Sequence, residues 1–216
     1  PLMSEYAFGY ILALERNIFA MRVNQKKKAW RDMPYRSLAG LTIGICGLGS
    51  IGRRIASTAS HFNMRVLGLS RSATQTSSVE KVFRPSDINE FVRQPDYLII
   101  VLPDTPSTKG IISRDVIKNI RPSSVLINVG RGAAVDERAL ADALGNGRLR
   151  AAVLDVFNTE PLPQDSPFWQ LENAYVTPHN SAFTFPRDIV DLFCDNYRRY
   201  RSGEPLKFKI DLGRGY

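Results

Sequence analysis

Apolar positions at the start of the chain recur at intervals of three and four residues. Leu2, Tyr6, Ala7, Tyr10, Ile11, Leu14 and Ile18 share one helical stripe within residues 2 to 23. The stripe is broad for a single surface helix, so its apolar face needs a partner, which a neighbouring subunit can supply as readily as the helix's own domain. From residue 41 the period changes. Short aliphatic and β-branched runs alternate with helical stretches, as in a parallel sheet covered by helices on both faces. Strands are expected at 41 to 46, 65 to 70, 97 to 102, 124 to 129, 151 to 156 and 174 to 177, and helices at 50 to 62, 86 to 94, 113 to 120, 136 to 146 and 186 to 201. Residues 79 to 83 are compatible with a short strand but carry little signal. The expectation is an α/β, doubly wound parallel sheet with flanking helices at both ends: an N-terminal helical arm at 1–36, a core at 37–185, and a C-terminal helix and tail at 186–216.

The turn after the first strand is the first chemical signal. Gly47-Leu48-Gly49-Ser50-Ile51-Gly52 follows Leu41-Thr42-Ile43-Gly44-Ile45-Cys46 and leads into a helix, which places G-x-G-x-x-G in the context that a dinucleotide fold requires. Gly47 permits the tight turn, Gly49 admits a pyrophosphate to the backbone, and Gly52 lets helix and strand pack closely. The helix N-terminus adds unpaired N–H donors and positive potential. The core is therefore read as a Rossmann domain. An NAD-selective domain usually presents Asp or Glu at the end of the second strand, to the ribose 2′-hydroxyl. Here that strand ends Gly68-Leu69-Ser70-Arg71-Ser72, with no carboxylate between Met64 and Val79. Arg71 suits a 2′-phosphate, and Ser70 or Ser72 can add a hydroxyl, so NADP(H) is expected to be preferred over NAD(H).

Composition narrows the picture. The chain has 216 residues, 44% hydrophobic and 23% charged, which suits one large core and excludes a disordered polymer. No run approaches a membrane span, and the start lacks the order of a secretory signal, so the expected address is cytoplasmic with no membrane partner. Two cysteines, Cys46 and Cys194, are too few for a disulfide framework, and no metal site is expected. The net charge of +8 would suit any anion. Its basic residues are scattered, with runs only at Lys26-Lys27-Lys28 and Arg198-Arg199, so nucleic acid is not expected as a partner.

Three further segments fall where the chain leaves strand ends, the place where an open parallel sheet builds its site. They are Asn128-Val129-Gly130-Arg131-Gly132, Leu154-Asp155-Val156-Phe157-Asn158-Thr159-Glu160-Pro161, and Thr177-Pro178-His179-Asn180-Ser181. Together with the glycine loop they resemble the D-isomer-specific 2-hydroxyacid dehydrogenase family over nearly the whole chain. Leu102-Pro103-Asp104-Thr105, Ser166-Pro167-Phe168-Trp169 and Ser70-Arg71-Ser72 are most similar to its glyoxylate and hydroxypyruvate reductase branch.

The chemistry of that family asks for these residue types. A 2-oxo acid carries a carboxylate beside a ketone, so the Arg131 guanidinium can fork onto the carboxylate and polarise the ketone. Hydride arriving at the ketone carbon places negative charge on oxygen, and His179 can supply the proton. The resemblance implies that Glu160 orients the imidazole and favours its charged form. It also implies that Asp155 and Asn128-Val129-Gly130 meet the nicotinamide end of the cofactor, with Leu102 and Pro103 beside the ribose-phosphate region. His61, on the glycine-loop helix, is read as structural or exposed. A dinucleotide sensor or scaffold of the same fold is the competing reading, although a sensor has no need of an acid. Members usually begin with a separate substrate domain, to which nothing here corresponds, so residues 1 to 216 alone are expected to bind NADPH with little or no turnover. The family resemblance further implies a homodimer.

Overall fold

The computed structural model describes residues 1–72 and 78–209; residues 210–216 of the expected tail lie outside them. Seven parallel strands form one sheet in the order β3-β2-β1-β4-β5-β6-β7. They are β1 (Thr42–Cys46), β2 (Arg65–Leu69), β3 (Lys81–Phe83), β4 (Tyr97–Ile100), β5 (Val125–Asn128), β6 (Ala151–Leu154) and β7 (Ala174–Val176). The order reverses between β1 and β4, which opens a crevice at their C-terminal ends. Within the weak segment 79 to 83 only Lys81–Phe83 forms strand β3, paired to β2 at the edge with Leu69 opposite Phe83.

Period-two alternation along the strands divides the core into two layers. Leu98, Ile100, Leu126 and Leu154 face one cluster with α4 (Ile88–Val92), α5 (Arg114–Asn119) and α6 (Glu137–Gly145). Tyr97, Ile99, Val125, Ile127 and Val153 face the other, with α1 (Leu2–Glu15) and α3 (Ser50–His61). The α4 helix is shorter than expected because Pro85–Asp87 forms a separate 3-10 turn before it.

The N-terminal stripe folds as two helices, α1 and α2 (Ile18–Lys26), rather than one. Asn17 breaks it: its φ of 54° is left-handed, a conformation Asn tolerates better than most residues, and its side-chain amide donates to Pro34 O at 2.8 Å. The apolar face of α1 finds its partner within the chain. Phe8 stacks on Phe62 at 5.2 Å, Ser4 donates to Thr58 Oγ1 at 2.8 Å, and Ala7, Phe8 and Ile11 are buried. By contrast α2 leaves Ile18, Phe19, Met21 and Val23 exposed.

Residues Pro1–Ser181 form one compact unit, and a second begins at Ala182. The second contains α7 (Pro186–Arg201), where Asp195 pairs with Arg199 at 3.2 Å and with Lys207 at 2.8 Å. Among the described residues no helix is long and apolar enough to cross a membrane, and no cluster of side chains is suited to a metal ion.

Candidate active site

The glycine loop has the geometry that its sequence demands. Gly47 has φ +103°, and a Cβ there would lie 2.7 Å from Val101 O; a Cβ on Gly52 would fall 1.9 Å from Gly47 O. Both glycines are required by the protein's own packing. Gly49 differs, because a Cβ built on it meets nothing within 4 Å. The open space lies at the start of α3, whose first turn receives no side-chain cap, which leaves its N–H groups for an acceptor from outside the helix. Ser50 and Ile51 are exposed at this turn, whereas Leu48 is buried beneath it against Gly68.

Leu102 joins this loop to the next one. Its side chain lies beside Gly47, and a Cβ on Gly130 would come within 2.7 Å of Leu102 N. Pro103 O accepts from Thr108 Oγ1 at 2.6 Å, which closes the 103–108 turn over two buried threonines, Thr105 and Thr108. Asn128 and Val129 are each 1% exposed. The Asn128 amide serves its own loop, accepting from Gly130 N and donating to Arg131 O, both at 3.1 Å.

At the ends of β6 and β7 the chain brings together a pair separated by 19 positions. His179 Nδ1 and Glu160 Oε2 are 2.7 Å apart. A carboxylate only accepts, so Nδ1–H is the donor and Nε2 is the ring nitrogen left for chemistry. The other Glu160 oxygen accepts from Phe157 N at 2.9 Å. Burial, the largest single influence, pushes the Glu160 carboxyl upward, but the bonds from His179 and Phe157 and the charge of His179 together hold it below the usual carboxylate range. Half of the His179 side chain remains exposed.

The His179 backbone is itself constrained. Its φ of 53° lies in the left-handed region, a cost on the order of 1–3 kcal/mol that the surroundings must offset. They do so through Asp155. The backbone O of Asp155 accepts from His179 N at 2.9 Å, and its fully buried carboxylate accepts from Asn180 N and Ser181 N at 2.9 Å and from Thr177 Oγ1 at 2.6 Å. Thr177 has one proton, already given to Asp155, so the 2.6 Å contact from Tyr6 to Thr177 Oγ1 must be donated by the tyrosine. Burial raises the Tyr6 hydroxyl well above its ordinary pKa and keeps it a donor. Nothing local in the sequence marks Tyr6 as part of this loop.

Arg131 is exposed and donates from Nη1 to Gly130 O at 2.7 Å, with no hydrogen bond or ion pair to Glu160 or His179. Its loop nevertheless touches theirs: a Cβ on Gly132 would fall 2.0 Å from Phe157 C, and Asn158 N donates to Glu137 Oε1 at 2.6 Å. At the edge of the crevice Arg71 donates to Ser107 Oγ at 3.0 Å, while Ser72 is exposed beside it. Ser107 carried no sequence signal, because it stands 36 positions from its partner.

A parallel sheet with its crevice at a topological switch point, a glycine loop open at Gly49, and a carboxylate-oriented histidine define the dinucleotide-binding domain of a dehydrogenase. Residues 8–181 match the D-isomer specific 2-hydroxyacid dehydrogenase, NAD binding domain family, and the chain belongs to that family. A curated relative from Serratia proteamaculans (strain 568), glyoxylate/hydroxypyruvate reductase A, is 35% identical over 214 residues, covering 99% of this chain and 68% of that protein. A crystal structure of a D-isomer specific 2-hydroxyacid dehydrogenase family protein from Aeromonas salmonicida subsp. salmonicida A449 is 45% identical with TM-score 0.92, covering 98% of this chain and 68% of that one. A third, the NADPH-dependent glyoxylate/hydroxypyruvate reductase of Sinorhizobium meliloti in complex with NADP and sulfate, is 33% identical with TM-score 0.92, covering 100% of this chain and 69% of that one.

Proposed function

We propose that this chain carries the cofactor site and the proton-transfer residues of an NADP(H)-dependent reductase of small 2-oxo acids such as glyoxylate or hydroxypyruvate, working with a substrate domain that completes the pocket. The observation that carries the reading is the 2.7 Å contact between His179 Nδ1 and Glu160 Oε2. A histidine so held has one ring nitrogen committed and the other available as a general acid.

The reduced nicotinamide supplies hydride to the ketone carbon. His179 gives the Nε2 proton to the ketone oxygen as its C=O π bond opens, so ketone, hydride and proton become a 2-hydroxy acid. Glu160 compensates the charge that imidazolium carries before the transfer. Arg131 receives the substrate carboxylate, and its lack of an ion pair with Glu160 leaves the guanidinium charge for that task. Gly47, Leu48, Gly49, Ser50, Ile51 and Gly52 shape the pyrophosphate cradle, and the backbone of Leu102-Pro103 and Asn128-Val129-Gly130 lines its continuation toward the reactive end. Asp155 acts through the loop it holds, since its carboxylate is occupied by Thr177, Asn180 and Ser181. Ser70, Arg71 and Ser72 receive the 2′-phosphate, in keeping with the NADP bound in the Sinorhizobium meliloti relative.

Steady-state reduction of glyoxylate and hydroxypyruvate by the intact enzyme, with NADPH and NADH compared, tests the whole reading. The expected result is a lower KM for NADPH. His179→Ala should abolish turnover while leaving NADPH affinity intact; retained turnover would remove His179 from the acid's role, and an unsubstituted intact enzyme that binds NADPH but turns nothing over would return the chain to the class of dinucleotide sensors. A homodimer is part of the proposal, with the exposed Ile18, Phe19, Met21 and Val23 of α2 meeting a second copy. Met21→Glu together with Val23→Lys should give a monomer by light scattering.

A further inference from the structure

The end of β2 holds a second guanidinium that the sequence pattern did not single out. Arg84 follows β3 directly, and because Phe83 pairs with Leu69, it stands level with Ser70 one strand further out. Its Nη1 donates to Ser70 O at 3.3 Å and also to Arg71 O. The Ser70-Arg71-Ser72 segment, where the cofactor's ribose 2′-position is expected, is thus tied to a cation from the neighbouring strand.

Two consequences oppose NAD and favour NADP. A ribose 2′-hydroxyl is best met by a carboxylate, and this segment offers none. A 2′-phosphate needs positive charge instead. Arg84 places a second guanidinium within one hydrogen bond of the segment that carries Arg71, and only one of its nitrogens is engaged on these carbonyls. We propose that Arg84 is a specificity-determining residue for NADP(H) over NAD(H), acting as a second cation at the 2′-phosphate. The inference rests on the NADP(H) reading above and adds a residue that makes that preference.

Equilibrium binding of NADPH, NADH, adenosine 2′,5′-bisphosphate and 5′-AMP to the intact protein and to Arg84→Gln tests it. In the variant, Kd for NADPH and for the bisphosphate should rise about tenfold, the scale of one charge-assisted contact, with NADH and 5′-AMP held within about twofold or tighter. Arg84→Lys keeps the charge but loses the fork. Its expected loss is about threefold, and it is the variant to read if the glutamine form does not fold. Equal weakening of all four ligands would make Arg84 a loop support and overturn the proposal, as would an unchanged NADPH to NADH ratio. If the unsubstituted protein itself binds NADH as tightly as NADPH, the fault lies in the NADP(H) reading on which Arg84 depends.

Discussion

Two glutamates at opposite ends of the sheet are both held below the usual carboxylate range, by different surroundings. Glu15 ends α1 beneath the N-terminal ends of the strands and is 3% exposed. Its carboxylate accepts from Arg36 at 2.9 and 3.0 Å, from Arg150 at 2.6 Å and from Tyr97 at 2.5 Å. Burial pushes its pKa upward most strongly, yet these bonds and the charge of Arg150 bring it down to about 2. Glu160, beyond the C-terminal ends, has a 36% exposed side chain and two partners, one of them the half-exposed His179. The first carboxylate is saturated and enclosed. The second is kept at the solvent edge, beside a group with a nitrogen to spare. Structural and chemical carboxylates in this fold thus differ in how many of their partners can still react, and less in the direction of their pKa shift.

The sharpest break of this comparison is to remove reactivity at one end only. His179→Gln should lower kcat of the intact enzyme by about 10²–10⁴-fold, the usual range for loss of a general acid. Because the side chain is 50% exposed, melting temperature and NADPH affinity should stay close to wild type. A melting point that fell with kcat would show the site end to be structural as well.

The converse substitution is Glu15→Gln. Removing the carboxylate of a buried ionic cluster leaves Arg150 without its counter-charge and Arg36 with only Asp96 at 3.4 Å, and the expected loss of stability in urea is about 3 kcal/mol. The kcat of the protein that remains folded should not change. A stable Glu15→Gln protein would mean that the enclosed cluster contributes little net stability.

Acid titration separates the two ends next. For Glu15 the folded pKa, about 2, lies below the ordinary 4.5, so its contribution is complete above pH 4.5 and is lost as pH falls toward 2. That shift corresponds to about 3 kcal/mol, measurable as stability that declines over this window in the wild type and stays flatter in Glu15→Gln. Glu160 is also depressed, so by the same sign its pairing with His179 survives above the ordinary carboxylate range and weakens only below it. Reductase activity should therefore hold through mildly acid pH at conditions where Glu160→Gln, which has no charge to lose, shows a lower but flatter profile.

Much of the site end could be read along the chain, because its signals are local. Gly47, Gly49 and Gly52 sit in one turn, and Arg131, Glu160 and His179 each stand in a short segment just past a strand. The enclosed end gave no such signal. Glu15 and Arg150 meet across 135 positions, and each alone reads as an ordinary surface charge. The break at Asn17 was hidden for a related reason: the apolar stripe runs through it unbroken, and only the tertiary bond to Pro34 reveals the left-handed turn. Asp155 was legible as important, but the structure gives it internal partners on the His179 loop that spacing could not specify. Arg84 and Ser107 escaped notice because each reaches its neighbour from the loop after a different strand.

Tyr6 is where the comparison can be tested most finely, since α1 carries both Glu15 at its end and the hydroxyl that reaches the His179 loop from its start. Tyr6→Phe removes the hydroxyl that bonds to Thr177 Oγ1 and leaves the ring in place against Tyr10 at 5.0 Å. The expected cost is small, about 0.5–1.5 kcal/mol in stability. Its consequence should be uneven, because Thr177 then holds Asp155 without support, and Asp155 sets the backbone of His179. A several-fold fall in kcat with unchanged NADPH affinity would show that α1 tensions the catalytic loop as well as filling the core. A fall in stability with kcat intact would assign Tyr6 to packing alone and confine the coupling between the two ends to the sheet.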